Sequence, residues 1–71
     1  MYIVVESYKN GDIYVDLFAT RKPAQKFFID RALTIDKLYG EHNTLDDKLI
    51  HFVWKDVANL FLNNIGVHEN V

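Results

Sequence analysis

Three histidines are the side chains of this chain best suited to binding a metal or transferring protons at neutral pH: His42, His51 and His68. His42 and His51 are nine positions apart and no His-x-x-x-His pair occurs, whereas zinc ligands must converge on one point. Three carboxylates could join His42 near the start of a helix, namely Glu41, Asp46 and Asp47. Carboxylates at that position are more simply explained as helix caps, so we predict no metal site.

Nucleophilic catalysis lacks a recognisable arrangement of residues. The chain has no cysteine, and its one serine, Ser7, lies in a predicted strand rather than in a sharp strand-to-helix turn. The glycines Gly11, Gly40 and Gly66 are isolated from one another, so no glycine-rich loop is available to bind phosphate groups. We therefore expect a protein that is not an enzyme and that uses no cofactor.

One acidic residue is predicted to lie against the core. Glu6 falls on the more apolar face of the first predicted strand, where a charge without a partner is costly. Arg31 falls within the apolar stripe of the helix that follows, and that stripe should face the strand. We predict a structural ion pair between Glu6 and Arg31 rather than a catalytic role for either residue.

A basic segment in the middle of the chain indicates an alternative function. Residues 20–37 carry five basic and two acidic side chains, although the whole chain has a net charge of −2. Three basic residues would lie near the start of a helix, where they could contact phosphate groups: Arg21, Lys22 and Lys26. Tyr14 and Phe18 could then stack on bases. The pI of about 5.8 is low for a nucleic-acid-binding domain, so this function remains the alternative.

Two strands joined by an Asn-Gly turn are the clearest structural signal. Residues 2–8 and 13–19 are rich in β-branched and aromatic side chains. The Asn-Gly pair at 10–11 is typical of a two-residue turn between antiparallel strands. A turn of that length places Glu6 opposite Val15 on the face that is expected to pack against the core.

Apolar residues recur with helical spacing in the rest of the chain. Residues 21–39 predict one helix and residues 45–64 predict a second, with a frayed tail over 67–71. Short connections make neighbouring helices antiparallel. The expected fold is α+β, in which a two-stranded antiparallel β-hairpin is followed by two antiparallel helices packed on one face of the sheet. We expect one small domain over residues 1–71.

Several apolar side chains exceed what so small a core requires. Five of them are expected to bind a partner protein: Tyr14, Phe18, Ile29, Leu33 and Trp54. Self-association would be another use of the same surplus and would make the protein a homodimer with a structural or regulatory role. No apolar run is long enough to cross a membrane and no basic segment opens a signal peptide, so we expect a cytoplasmic protein.

The composition indicates an AT-rich genome. Ile, Lys, Asn, Tyr and Phe make up 27 of the 71 residues, and all five have AT-rich codons. Such a bias is typical of low-GC bacteria and their phages. We therefore predict a small protein-binding module of a phage or mobile element that inhibits or modulates a host or defence protein, as anti-CRISPR proteins do.

Overall fold

One helix lies on one antiparallel sheet in the computed structural model, which describes residues 1–45 and 50–65. The elements follow the order β1 (Tyr2–Tyr8), β2 (Ile13–Phe18), α1 (Arg21–Tyr39), β3 (Asn43–Thr44), β4 (His51–Trp54) and β5 (Ala58–Asn64). The five strands lie in the order β2-β1-β5-β4-β3, and every neighbouring pair is antiparallel. The last long strand is therefore inserted beside the first.

The helix α1 connects the two edge strands of the sheet and crosses one face of it. Its 19 residues span about 28 Å, and the five strands span about 19 Å, so one helix is long enough to cover the sheet. Its buried side chains recur every three or four residues: Ala24, Phe28, Ala32 and Ile35. They pack against buried side chains of the central strands: Val4, Phe52, Trp54, Ala58, Leu60 and Leu62.

The predicted first helix is confirmed over 21–39 and is continuous. Gly40 follows it with φ 95°, a conformation that L-residues avoid, and its N–H donates to the carbonyl of Asp36 at 2.8 Å. In the described part of the chain, no helix is both long enough and apolar enough to span a membrane.

The predicted second helix over 45–64, and with it the expected fold class, is wrong. Strands β4 and β5 occupy most of that segment, and the sheet has five strands instead of the two of an isolated hairpin. Burial there alternates with period two: Phe52 and Trp54 are buried, as are Ala58, Leu60 and Leu62. Residues 46–49 and the predicted tail over 67–71 lie outside the described residues.

The first hairpin forms as predicted, but its register is shifted by one residue. Its loop has three residues, Lys9 to Gly11, because the Tyr8 N–H donates to the Asp12 carbonyl at 2.9 Å and the Tyr8 carbonyl accepts from the Gly11 N–H at 2.9 Å. Gly11 adopts φ 99°. Glu6 consequently pairs with Tyr14 rather than with Val15. A shift of one residue moves every side chain of β2 to the opposite face of the sheet.

Candidate functional site

The face of the sheet opposite α1, here called the outer face, is largely apolar although no described element covers it. Its central row runs across four strands through Val15, Val5, Phe61 and His51. The side chains on either side of this row are Ile3, Ser7, Ile13, Leu17, Asn43, Val53, Asn59 and Asn63. None of the residues on this face of the described strands is an aspartate, glutamate, lysine or arginine.

The edge strand β2 exposes the most apolar surface on the outer face. Ile13, Val15 and Leu17 are 64%, 52% and 58% exposed. An antiparallel sheet with one solvated face normally alternates apolar and polar side chains, with the polar ones outward. Here the outward positions are β-branched or aliphatic, which is typical of a face that another surface covers.

A groove lies on the other side of β2, between the first hairpin and α1. It encloses about 490 Å³. Its walls combine three tyrosines with three carboxylates: Tyr8, Tyr14, Tyr39, Glu6, Asp12 and Asp16. Arg31 and Phe27 reach it from the helix. The groove and the outer face are therefore lined by alternate residues of the same strand.

The predicted pair of Glu6 and Arg31 meets at the inner end of this groove. Arg31 Nε donates to Glu6 Oε1 at 2.8 Å and Arg31 Nη2 donates to Oε2 at 2.7 Å, while the Tyr8 hydroxyl donates to the same carboxylate. The side chain of Glu6 is 7% exposed and that of Arg31 is 35% exposed. Such a bidentate arrangement leaves the carboxylate paired and hydrogen-bonded, as burial requires.

These contacts shift the pKa values of Glu6 and Tyr8. Burial by itself raises the pKa of Glu6, but hydrogen bonds from Arg31 and Tyr8 and the charge of Arg31 outweigh it, so that the pKa lies below its usual value. Burial and the hydrogen bond to Glu6 raise the pKa of Tyr8 to about 12. Glu6 therefore stays ionised and Tyr8 stays protonated at neutral pH, so the arrangement has the properties of a structural link rather than of an acid–base pair.

A second polar cluster ties the end of α1 to the core. Asp36 Oδ1 accepts the indole N–H of Trp54 at 2.9 Å and the backbone N–H of His42 at 3.1 Å, and the ring Nδ1 of His42 lies 3.0 Å from it. The His42 ring stacks on Phe52 with centroids 3.9 Å apart. Burial by itself raises the pKa of Asp36, but the hydrogen bonds from His42 and Trp54 outweigh it, so that the pKa lies below its usual value. Within residues 1–45 and 50–65 no group of three metal-ligating side chains converges.

The five residues predicted to bind a partner do not form one surface. Trp54 is 1% exposed and belongs to the core, which corrects its assignment as a docking residue, because its indole is held by Asp36. Tyr14 and Phe18 lie on the helix side of β2, since the register differs from the expected one. Ile29 and Leu33 are 45% and 55% exposed on α1.

The residues predicted to contact nucleic acid all lie on the surface of α1. Arg21, Lys22 and Lys26 are exposed, and Lys26 forms an ion pair with Asp30 at 3.6 Å. Tyr14, the nearby aromatic proposed to stack on bases, lines the groove together with carboxylates that would repel phosphate groups.

The outer-face residues of β2 were not recognised from the sequence as functional candidates. The sequence shows that they alternate with Tyr14 and Asp16, but the register of β1 with β2 decides which of the two sets faces away from α1. Comparisons of the chain with models of protein families, with curated proteins and with solved structures found no match. The geometry described above is therefore the basis for a functional proposal.

Proposed function

We propose that this chain is a non-enzymatic protein-binding module whose docking surface is the outer face of the sheet, and that the protein it binds there is a second copy of itself. The observation that supports this most directly is the exposure of Ile13, Val15 and Leu17 on a face without charged side chains. Depletion of charge is typical of the core of protein interfaces.

A second copy can pack on this face because the face has no aspartate, glutamate, lysine or arginine that would repel its own copy. A charged surface repels its own copy, whereas an uncharged apolar sheet can stack on itself at about 10 Å, as the sheets of a β-sandwich do. Two-fold symmetry would then place the same residues on both sides of the contact. The exposed rows of β2 and the central row through Phe61 would supply its core.

The size of the face sets the expected strength of the dimer. The five strands contain 7, 6, 2, 4 and 7 residues and together cover about 400 Å² in projection, so two copies bury at least about 800 Å². That area is below the range of stable specific interfaces and is typical of weak, transient ones. We therefore expect a reversible dimer with a dissociation constant in the micromolar range. The chain gains from such burial because small domains without disulfides have little core of their own.

The mass in solution tests the proposal. The mass measured by light scattering after gel filtration should rise with protein concentration, from 8.3 kDa towards twice that value. The double variant Val15→Lys, Leu17→Lys should stay monomeric, because four like charges would then meet across the contact. A matched control is Ile29→Lys, Leu33→Lys, which adds the same charge at residues of similar exposure on α1 and should still dimerise.

Either of two results would refute the proposal. A wild-type chain that keeps the monomer mass at every concentration would refute the dimer. Sheet and helix variants that dimerise equally would refute the outer face as its contact surface. Circular dichroism of both double variants shows whether the fold is retained, which is expected because all four positions are exposed.

Narrower assignments remain predictions. An origin in a phage or mobile element depends on composition alone, and an inhibitory role and a cytoplasmic location have no support beyond the sequence. Nucleic-acid binding is the alternative function, and its steep salt dependence would distinguish it from apolar docking. The carboxylates of the groove and the ion pair of Lys26 with Asp30 weaken that alternative.

A further inference from the structure

The groove between α1 and the first hairpin has features that the proposed dimer does not use. It lies on the opposite side of the sheet from the outer face. Three tyrosine rings form a connected group along it: Tyr8 is 6.2 Å from Tyr14, edge to face, and 6.5 Å from Tyr39. Aromatic faces that are held in fixed positions attract cations through their electron-rich surfaces.

The net charge of the groove also favours a cation. Three carboxylates line it, and one guanidinium, that of Arg31, neutralises only Glu6. Asp12 accepts a hydrogen bond from the side-chain amide of Asn10 at 3.1 Å, which leaves its charge uncompensated. Asp16 has no ion pair or side-chain hydrogen bond within the described residues. The groove thus holds two uncompensated negative charges beside the tyrosines.

Arg31 shows that the side chains of the groove stabilise a cation. Its guanidinium lies at the inner end of the groove, close to Tyr8, and its pKa is raised by the hydrogen bonds to Glu6. The fold therefore already places one organic cation among these side chains. The outer part of the groove, beside Tyr14 and Asp16, has the same chemistry without a cation of its own.

We propose that the outer part of this groove binds an organic cation, presented as a lysine or arginine side chain of a partner protein, against Tyr14 and Asp16. The aromatic ring contacts the apolar stem and the charged head, and the carboxylate supplies an acceptor. A phosphate or carboxylate ligand would be repelled, and a purely apolar one would desolvate Asp16 without compensation. This site is separate from the outer face, so a chain that fails to dimerise can still bind the cation.

Nuclear magnetic resonance titration of the ¹⁵N-labelled full chain tests the proposal at low ionic strength. The probe is N-acetyl-lysine-methylamide, and the matched probe is N-acetyl-norleucine-methylamide, which has an uncharged stem. We expect the amides of Tyr14 and Asp16 to shift saturably with the lysine probe, with a dissociation constant in the millimolar range, and to shift little with the norleucine probe.

Variants locate the site. Asp16→Asn should weaken binding of the lysine probe about threefold to fivefold, as expected for loss of an exposed charge pair. Asp30→Asn removes the same charge from the outside of α1 and should leave the affinity unchanged. Tyr14→Leu should weaken binding by a similar factor, because it removes a ring and keeps an apolar side chain.

Several outcomes would overturn the inference. These are the absence of a saturable shift, equal shifts with both probes, and equal effects of Asp16→Asn and Asp30→Asn. The spectrum of each variant reports its fold in the same experiment. Because Asp16 and Tyr14 are exposed, we expect both variants to keep the wild-type dispersion of signals.

Discussion

Arg31 on α1 donates two parallel hydrogen bonds to Glu6 on β1, at 2.8 and 2.7 Å, and joins the helix to a central strand of the sheet. Glu6 is the only charged residue that is buried in the described part of the chain. Its charge is compensated from the helix and from the Tyr8 hydroxyl on the same strand. The pair thus fixes the position of the helix above β1 and closes the inner end of the groove.

Arg31→Met should lower the free energy of unfolding by about 2 kcal/mol. Removal of one partner from a fully buried ion pair costs about 3–5 kcal/mol, and the loss is smaller here because water reaches the partly exposed Arg31 position. Urea denaturation at neutral pH measures the change. The double variant Glu6→Leu, Arg31→Met should recover most of the loss, since no charge is then left buried.

Arg21→Met is the matched control for that experiment, because Arg21 is exposed on the same helix. It should change the free energy of unfolding by less than about 0.5 kcal/mol. A loss in Arg31→Met as small as that in the control would contradict the structural role of the pair.

Stability should fall in acid because of Glu6 and Asp36. The pKa of each lies below its ordinary value, 4.5 for Glu6 and 3.8 for Asp36, so the folded state binds protons less readily than the unfolded state. Their contribution is complete above those ordinary values and is lost as the pH falls through the lower pKa of the folded state. Denaturation midpoints measured from pH 7 down to about pH 3 should decline most steeply below about pH 4.5. Asp36→Asn should flatten part of that decline, and an unchanged slope would contradict its assignment.

Tyr8 should lose its proton only at strongly alkaline pH. Its pKa is raised to about 12, so the folded state retains the proton where the unfolded state loses it, and its stabilisation is lost as the pH rises from about 10 through about 12. Tyrosinate absorbance at alkaline pH should show a step near 12 that Tyr8→Phe removes. Tyr14→Phe should retain the step, since Tyr14 does not contact Glu6 through its hydroxyl. Loss of the step in both variants would show that the fold, not Tyr8, determines it.

Gly11→Ala should destabilise the first hairpin by about 1 kcal/mol. Gly11 has φ 99°, and a Cβ atom added there would meet nothing within 4 Å, so the cost is conformational rather than steric. Gly11→Asn should cost less, because asparagine tolerates positive φ better than alanine. Thermal unfolding of the three proteins measures this order. Equal stability of Gly11→Ala and wild type would contradict a positive φ at Gly11.

Local patterns determined the elements that depend on neighbours along the chain. The bounds of β1 and α1 follow from β-branched residues over 2–8 and from helical spacing over 21–39. The hairpin follows from its turn residues. The sequence predicts the pair of Glu6 and Arg31 because helical spacing alone directs Arg31 towards the sheet.

Tertiary contacts decided the C-terminal half of the described chain. The apolar residues over 50–62 satisfy helical spacing and also alternate at Phe52 and Trp54 and at Leu60 and Leu62, so periodicity alone allowed both structures. Strand β5 forms because β1 offers a whole edge for pairing, from Tyr2 opposite Asn64 to Tyr8 opposite Ala58. Those hydrogen bonds join strands whose paired residues are 50 to 62 positions apart, which no local pattern encodes.

The register of β1 with β2 likewise decided the positions of both candidate sites. The sequence contains Ile13, Val15 and Leu17 alternating with Tyr14 and Asp16, but it does not state which set faces α1. A three-residue loop ending at Gly11 shifts the register by one and directs the aliphatic set outward and the other set into the groove. The sequence thus determined two chemically distinct sides of one strand, and pairing across the hairpin decided which of them faces the helix, because side chains alternate strictly along a strand.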